Sequence, residues 1–268
     1  MAIELSFVII TWNSEKTIED CLRGIREKCT SEKIEYEVFV VDNGSKDSTV
    51  ETIKRNAGEM PVILTELHKN IGTTKSRNMA FKQCTGKVIC VLDSDAVFFE
   101  GHLRDAADTL LKDDSCGILA PKLIFPDGSI QESVLRFPSI FGKFSKIPAI
   151  VFKLKLKESN GYENFPFSET TEVDYSISAC WLFRRELLDE VGYLDEKIFY
   201  SPEDVDYGIR IWKKGKKTLY YPNLIVLHHV QRLTHKKFLS RIAISHLFGL
   251  IYYFLKHRYF KTPRKNEY

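Results

Sequence analysis

The first 92 residues alternate between short apolar stretches and longer stretches that carry apolar residues at helical spacing. The apolar stretches predict buried strands, and the stretches between them predict helices. Each predicted helix is long enough to return the chain across a sheet, so successive strands are expected to be parallel with right-handed connections. This alternation predicts an α/β fold with a mostly parallel central sheet flanked by helices. The predicted strands are residues 4–10, 36–41, 62–67 and 87–92, and the predicted helices are residues 16–28, 47–55 and 72–83.

The pattern changes after about residue 115. Pro126-Asp127-Gly128 predicts a turn between two strands, and residues 138–170 lack periodicity and predict a long surface loop. We expect residues 1–235 to form one domain, followed by a C-terminal helix and basic tail over residues 236–268. The other predicted strands are residues 116–125, 129–135, 172–178, 217–221 and 224–228, and the other predicted helices are residues 185–190, 202–213 and 238–260.

The composition limits the function only loosely. The 268 residues are 44% apolar, and a net charge of +3 is too small to indicate nucleic-acid binding. The six cysteines form no CxxC pair, and several lie within apolar strand patterns, so they are expected to be reduced core residues of a cytoplasmic protein. The N-terminal segment predicts a first strand and not a signal peptide.

Polar residues follow three of the predicted parallel strands. Thr11, Asp42 and Asp93 each come at or directly after the carboxyl end of a strand, where the ligands of such sheets bind. Asp93-Ser94-Asp95 has an ordinary explanation, because Asp favours turns. Its functional interpretation is that Asp95 coordinates Mg²⁺ or Mn²⁺ on a diphosphate, while Asp93 binds the ribose or a metal-bound water.

A second acidic cluster begins the predicted helix at residues 202–213. Ser201, Pro202 and the acidic residues after them suit helix capping, which is a sufficient explanation by itself. One carboxylate there, however, can also face a cleft and accept a proton from a hydroxyl as general base.

Two further groups carry chemistry at predicted element ends. His228 and His229 follow a strand, where they are either two hydrogen-bonded imidazoles or a source of one more metal ligand beside Asp95. Arg77, on the third predicted helix, is either a surface charge or a guanidinium that contacts a diphosphate or a base.

The C-terminal helix is apolar nearly all round over residues 242–255 and is followed by basic residues. That run of about 14 residues is shorter than the roughly 20 that a membrane span needs. Two interpretations stay open: the helix packs on the catalytic core or on another subunit, or it is an interfacial anchor on an anionic membrane through residues 238–265.

The ordered motifs of the chain resemble those of family 2 glycosyltransferases of the GT-A group, and the rhamnosyltransferase-like members are the most similar. The similarity extends over roughly residues 5–230 and is carried by FVIITWNSEKTIEDCLRGI, VDNGSKDST, NIGTTKSRNMAF, VLDSDA and GYLDEKIFYSPEDVDYGIRIWKKG. It implies an inverting transfer, in one displacement, from a UDP- or dTDP-sugar to a hydroxyl of a glycan or lipid-linked acceptor, with Mn²⁺ or Mg²⁺ as cofactor.

The resemblance also implies roles for single residues. Thr11 and Asp42 would line the base site, with Asp42 meeting the pyrimidine and Arg77 supporting it. Asp93 and Asp95 match the DxD motif. Asp204 and His228 match the catalytic base and the late metal-ligand histidine. The chain departs from the family in having Asn43 where a second Asp is frequent, and the neighbouring His229 leaves the ligand assignment open.

Two other classes of protein remain as alternatives. A nucleotidyltransferase would carry a Gly-rich phosphate loop after the first strand, where this chain has Thr-Trp-Asn-Ser-Glu-Lys. A sugar-nucleotide-binding scaffold would not require Asp204 beyond capping. The expected partners are a nucleotide-sugar donor, a glycan or lipid-linked acceptor and no nucleic acid, with contact to the inner membrane face and a homodimer as further possibilities.

Overall fold

The structure, a computed structural model, describes residues 3–138, 161–230 and 241–258. Its strands are β1 Leu5–Thr11, β2 Tyr36–Asp42, β3 Val62–Glu66, β4 Val88–Leu92, β5 Ala96–Glu100, β6 Cys116–Ile124, β7 Val134–Leu135, β8 Thr171–Val173, β9 Tyr175–Ser176, β10 Cys180–Arg184 and β11 Lys217–His228. Its helices are α1 Ile18–Glu32, α2 Thr49–Asn56, α3 Thr73–Phe81, α4 Leu103–Lys112, α5 Leu187–Val191, α6 Glu203–Lys213 and α7 Arg241–His257.

The main sheet has the order β3-β2-β1-β4-β10-β6-β11-β5, and β8 pairs with β11. The strands β3, β2, β1 and β4 are all parallel, as predicted. β10 is antiparallel to both of its neighbours, whereas the long β6–β11 ladder is parallel again. The prediction of a mostly parallel central sheet flanked by helices is therefore confirmed.

Both faces of the sheet are covered. In β1, Phe7 and Ile9 join the core on the α1 side, and Val8 joins the core on the side of α3 and α6. Successive side chains of a strand point to opposite faces, so a strand covered on both faces is apolar throughout. This explains why β1 carries a continuous apolar run. All six cysteines are buried and free, as expected.

Three elements differ from the sequence prediction. β5 and α4 fill residues 96–112, to which no element was assigned. The residues Cys180–Arg184, expected to lead into a helix, form the central strand β10, and the helix begins later, at Leu187. An apolar run of four residues, such as residues 180–183, does not distinguish a strand from a helix segment, and here pairing with β4 decides the outcome.

The predicted turn at Pro126-Asp127-Gly128 is present, with the Phe125 amide donating to the Ser129 carbonyl at 2.8 Å. The returning segment pairs with β6 only through an Ile124–Ile130 bridge, and its later part, β7, pairs with β9. The two strands predicted at residues 217–228 are one strand, β11, which has a register shift at Pro222-Asn223. Most of the predicted 138–170 loop lies outside the described residues.

Helix α7 packs on the catalytic domain with one face. Tyr253 and Phe254 share a small core with Val205 and Ile209 of α6. Within the described ranges, no helix is long and apolar enough to cross a membrane. The expected boundary at residue 235 and the basic tail after residue 258 lie outside the described part of the chain.

Candidate active site

A cleft of about 220 Å³ opens at the carboxyl ends of β1, β2 and β4. Parallel strands place these ends on one edge of the sheet, as the sequence pattern predicted. Phe199 and Tyr200, from the loop before α6, form another part of its wall. The predicted site residues that line it are Thr11, Asp93, Asp95 and His228.

Asp93, Asp95 and His228 form one cluster, in which one ligand atom of each residue lies within 4.8 Å of the others. The His228 Nε2 atom is 3.3 Å from Asp95 Oδ1 and 4.0 Å from Asp93 Oδ2. On the far side of the ring, His228 Nδ1 is 2.9 Å from the Gln131 amide oxygen. Donation from Nδ1 to that oxygen leaves Nε2 as a lone-pair donor, as in protein metal sites. Two carboxylates and an oriented imidazole fit a divalent cation.

The pairing of β5 with β11 explains why residues more than 130 positions apart in the sequence meet here. β5 begins directly after Asp95, and its first residue, Ala96, lies opposite His228. The His229 amide donates to the Asp95 carbonyl at 2.8 Å, while its side chain is exposed. Among the described residues, His228 is therefore the imidazole of the cluster.

Arg77 lies beneath the cleft and is 2% exposed. Its Nη2 atom is 3.0 Å from Asp93 Oδ1, and its Nη1 atom is 3.4 Å from Glu203 Oε1. The guanidinium also donates to the Ser178 carbonyl at 3.0 Å. Arg77 is therefore not a surface charge, and it links the two acidic clusters that the sequence places far apart. Its support of the base site stays a prediction.

Glu203 is the buried member of the second acidic cluster. Burial and the nearby Asp204 raise its pKa to about 8, against the opposing effects of Arg77 and of the Ser178 hydroxyl. That hydroxyl donates to Glu203 Oε1 at 2.8 Å. At neutral pH the Glu203 carboxyl is therefore largely protonated and fixed in place, which suits a structural group better than a base.

Asp204 occupies the first turn of α6 and is partly exposed. Its Oδ1 atom accepts a hydrogen bond from the Val205 amide at 2.8 Å. The cleft residue Tyr200 lies near it, and burial, Glu203, Asp93 and Asp204 together raise the pKa of Tyr200 to about 12. Asp204 is thus the more accessible carboxylate of the pair, beside a cleft wall that Tyr200 forms.

Asp206 faces away from the cleft. Its carboxylate contacts Lys256 Nζ at 2.6 Å, His257 Nε2 at 2.8 Å and Arg210 Nε at 3.0 Å. Burial by itself would raise the pKa of Asp206, but these three partners hold it below its ordinary value. Asp206 therefore attaches α7 to α6.

The turn after β2 differs in detail from the sequence prediction. The Asp42 carboxylate accepts hydrogen bonds from the Thr11 hydroxyl, from the Gly44 amide, and from the amide and hydroxyl of Ser45. It is 2% exposed, and Asn43 is the residue of this turn that lines the cleft. The Asn43 side-chain oxygen accepts from the Ile71 amide and the Ser76 hydroxyl, so its NH₂ group is the part left for a ligand.

Gln131, Ser178 and Tyr200 belong to the site but were not predicted from the sequence. Gln131 and Ser178 lie in segments whose local pattern indicates only strands, and tertiary pairing brings them to the cluster. Tyr200 could have been predicted as a site residue, because it is an aromatic residue shortly before the acidic start of a helix.

The chain is similar in sequence to known proteins. The model of the family described as Glycosyl transferase family 2 matches residues 6–192. An N-acetylglucosaminyl-diphospho-decaprenol L-rhamnosyltransferase from Mycobacterium tuberculosis is 27% identical over 220 residues, which cover 78% of this chain and 71% of the relative.

Two solved structures show the same fold. S. aureus TarS in complex with UDP-GlcNAc has a TM-score of 0.63 at 22% identity, over 89% of this chain and 62% of that one. The Pyrobaculum calidifontis mannosyltransferase PcManGT in complex with GDP-Man and Mn²⁺ has a TM-score of 0.63 at 19% identity, over 98% of this chain and 66% of that one. The predicted GT-A fold is thereby confirmed.

Proposed function

The chain belongs to glycosyltransferase family 2, and on that premise we propose that it transfers a sugar, with inversion, from a UDP- or dTDP-sugar to a hydroxyl of a glycan or lipid-linked acceptor. The observation that carries this proposal is the Asp93–Asp95–His228 cluster, which lies in a cleft at the carboxyl ends of the parallel strands.

Asp95 and His228 would hold Mn²⁺ or Mg²⁺, with Asp93 at the same cluster. When bound, the cation neutralises negative charge on the diphosphate. Arg77 fixes the Asp93 carboxylate through its hydrogen bond at 3.0 Å. Gln131 fixes the ring of His228. Both contacts pre-organise the cluster before a donor arrives.

Asp204 is proposed as the general base. The acceptor oxygen forms a bond to the anomeric carbon of the donor, while its proton passes to the Asp204 carboxylate. The bond from that carbon to the diphosphate breaks, and its electron pair leaves with the nucleoside diphosphate. Glu203 supports this step because its contact with Arg77, which also contacts Asp93, fixes the start of α6 relative to the metal cluster.

The base site is proposed at Thr11, Asp42 and Asn43. Asp42 shapes the turn through its internal hydrogen bonds, and it would accept from the ring N–H of uracil or thymine by exchanging one of them, because both carboxylate oxygens already accept. The Asn43 NH₂ group would donate to a ring carbonyl. UDP and dTDP are therefore expected to compete with the donor better than GDP or CDP.

The acceptor is proposed by analogy with the mycobacterial relative, whose name describes a lipid-linked diphosphate substrate. We propose a role in the synthesis of a polysaccharide or another cell-surface glycan, at the cytoplasmic face of a membrane. A binding scaffold without transfer is the alternative, and the ordered Glu203–Asp204 helix start beside the cleft favours the enzyme.

The test is a screen of nucleotide-sugars for donor hydrolysis and thermal shift, with Mn²⁺, with Mg²⁺ and with EDTA. We expect a UDP- or dTDP-sugar to stabilise the protein and to be hydrolysed slowly only when metal is present. Binding without turnover for every donor and acceptor would favour the scaffold. Failure of all nucleotides to bind would contradict the proposal.

A further inference from the structure

Helix α7 has an outer face that is as apolar as its inner one. Leu247, Phe248, Ile251 and Leu255 are 50%, 66%, 39% and 73% exposed, and they recur at helical spacing. An apolar row of this size is uncommon on a surface that only meets water. The inner face already packs on α6, so the outer row needs a different partner.

Part of this row borders a groove of about 490 Å³ between α7 and the loop before α6. Phe248, Ile251 and Leu255 line it on the helix side, and Lys197 and Phe199 line it on the loop side. Leu247, though equally apolar and exposed, does not border the groove.

Phe199 also lines the active cleft, so the groove and the cleft share a wall. That wall is held firmly. The Phe199 carbonyl accepts from the Thr73 amide at 2.7 Å, and the Phe199 ring packs on Gly72, where a Cβ would lie 2.7 Å from it. On the other side, a Cβ at Gly249 would clash with the Ser201 carbonyl oxygen, so α7 touches the segment that leads into α6.

One basic side chain borders the groove. Lys197 lines it, with its ammonium 5.7 Å from the centre of the Tyr252 ring. Lys256, one helical turn further along α7, is held by Asp195 and Asp206. An anionic group beside an apolar chain would therefore meet Lys197.

We propose that this groove binds the apolar chain of a lipid-linked acceptor, with Lys197 contacting the phosphate next to the chain and the sugar head reaching the cleft past Phe199. The inference rests on the proposed function, and it names the acceptor class as an isoprenyl phosphate or diphosphate. A bilayer surface or a second copy of the chain would instead cover the whole exposed apolar row of α7, including Leu247. Such a contact would not explain why the groove and the cleft share Phe199.

The test is equilibrium binding of a fluorescent isoprenyl diphosphate, in nonionic detergent, to the full chain. Phe248→Gln and Leu255→Gln should each weaken binding about tenfold, as expected for the loss of one large apolar contact, and the matched variant Leu247→Gln should stay within about twofold. Lys197→Gln should weaken binding of the diphosphate probe but not of the corresponding isoprenol.

Three results would overturn the inference: no saturable binding, equal losses at Leu247 and Phe248, or Phe248-dependent self-association or vesicle binding with unchanged probe affinity. Binding of UDP and of dTDP with Mn²⁺ is measured on the same samples. If UDP or dTDP binds and the probe does not, only the groove inference fails, whereas failure of the wild type to bind either nucleotide contradicts the proposed function itself.

Discussion

Replacing Glu203 with glutamine removes a buried carboxyl whose pKa burial and Asp204 raise from the ordinary 4.5 to about 8. The unfolded chain releases this proton near the ordinary value, whereas the folded protein keeps it. Between these two values the folded state binds more protons than the unfolded state, so the free energy of unfolding must fall as the pH rises. The stabilisation is fully present below about pH 4.5 and is lost as the pH passes about 8.

A tenfold change in proton affinity corresponds to about 1.4 kcal/mol, so a shift of this size is worth several kcal/mol. Glutamine keeps the shape and one acceptor but does not ionise. Glu203→Gln should therefore be less stable than the wild type in acid by about 1 kcal/mol, the value of a typical hydrogen bond, and should become more stable than the wild type toward pH 8.

Urea unfolding across this pH range, in EDTA and without nucleotide, measures the effect. Ligand must be absent because binding at the cleft stabilises the folded state. Glu51→Gln, on the exposed side of α2, is the matched control and should follow the wild-type curve. Parallel curves for Glu203→Gln and the wild type would refute the assignment of a buried, largely protonated Glu203.

Two further predictions concern neighbouring carboxylates. Asp204→Asn should lower the turnover number by about 10²–10⁴-fold, which is the usual cost of losing a general base, and should leave nucleotide affinity unchanged. Asp189→Asn, at an exposed site, is the control and should keep normal turnover. Near-normal turnover of Asp204→Asn would contradict the assignment. Asp206→Asn should lower the free energy of unfolding by about 3 kcal/mol, because it removes the buried carboxylate that Lys256, His257 and Arg210 share. Thermal unfolding measures this loss of stability. Because the pKa of Asp206 lies below the ordinary value of 3.8, the wild type should lose the same stabilisation only when the pH falls below 3.8.

The parallel half of the fold could be predicted because local pattern and tertiary environment agree there. β1, β2 and β4 are covered on both faces, and their apolar runs show it directly. β10 could not be assigned in the same way. Its residues Cys180–Arg184 are short and mostly apolar, and only their pairing with β4 makes them a strand.

The same distinction holds for the site. Asp93 and Asp95 could be predicted because they follow a strand whose end lies on the ligand-binding edge. The position of Gln131 behind His228 depends on how the segment after β6 folds back, which no local pattern reports. The sequence could not exclude a surface position for Arg77, because only the assembled fold reveals that it is buried between Asp93 and Glu203.

The central claim is that Asp93, Asp95 and His228 bind a nucleoside diphosphate through a divalent cation. Isothermal titration of UDP or dTDP into the full chain, with Mn²⁺ and with EDTA, tests it most directly. We predict binding that requires Mn²⁺ and that Asp95→Ala abolishes, while Asp127→Ala, in an exposed turn, leaves it intact. Equal affinity in EDTA, or unchanged affinity in Asp95→Ala, would contradict the claim.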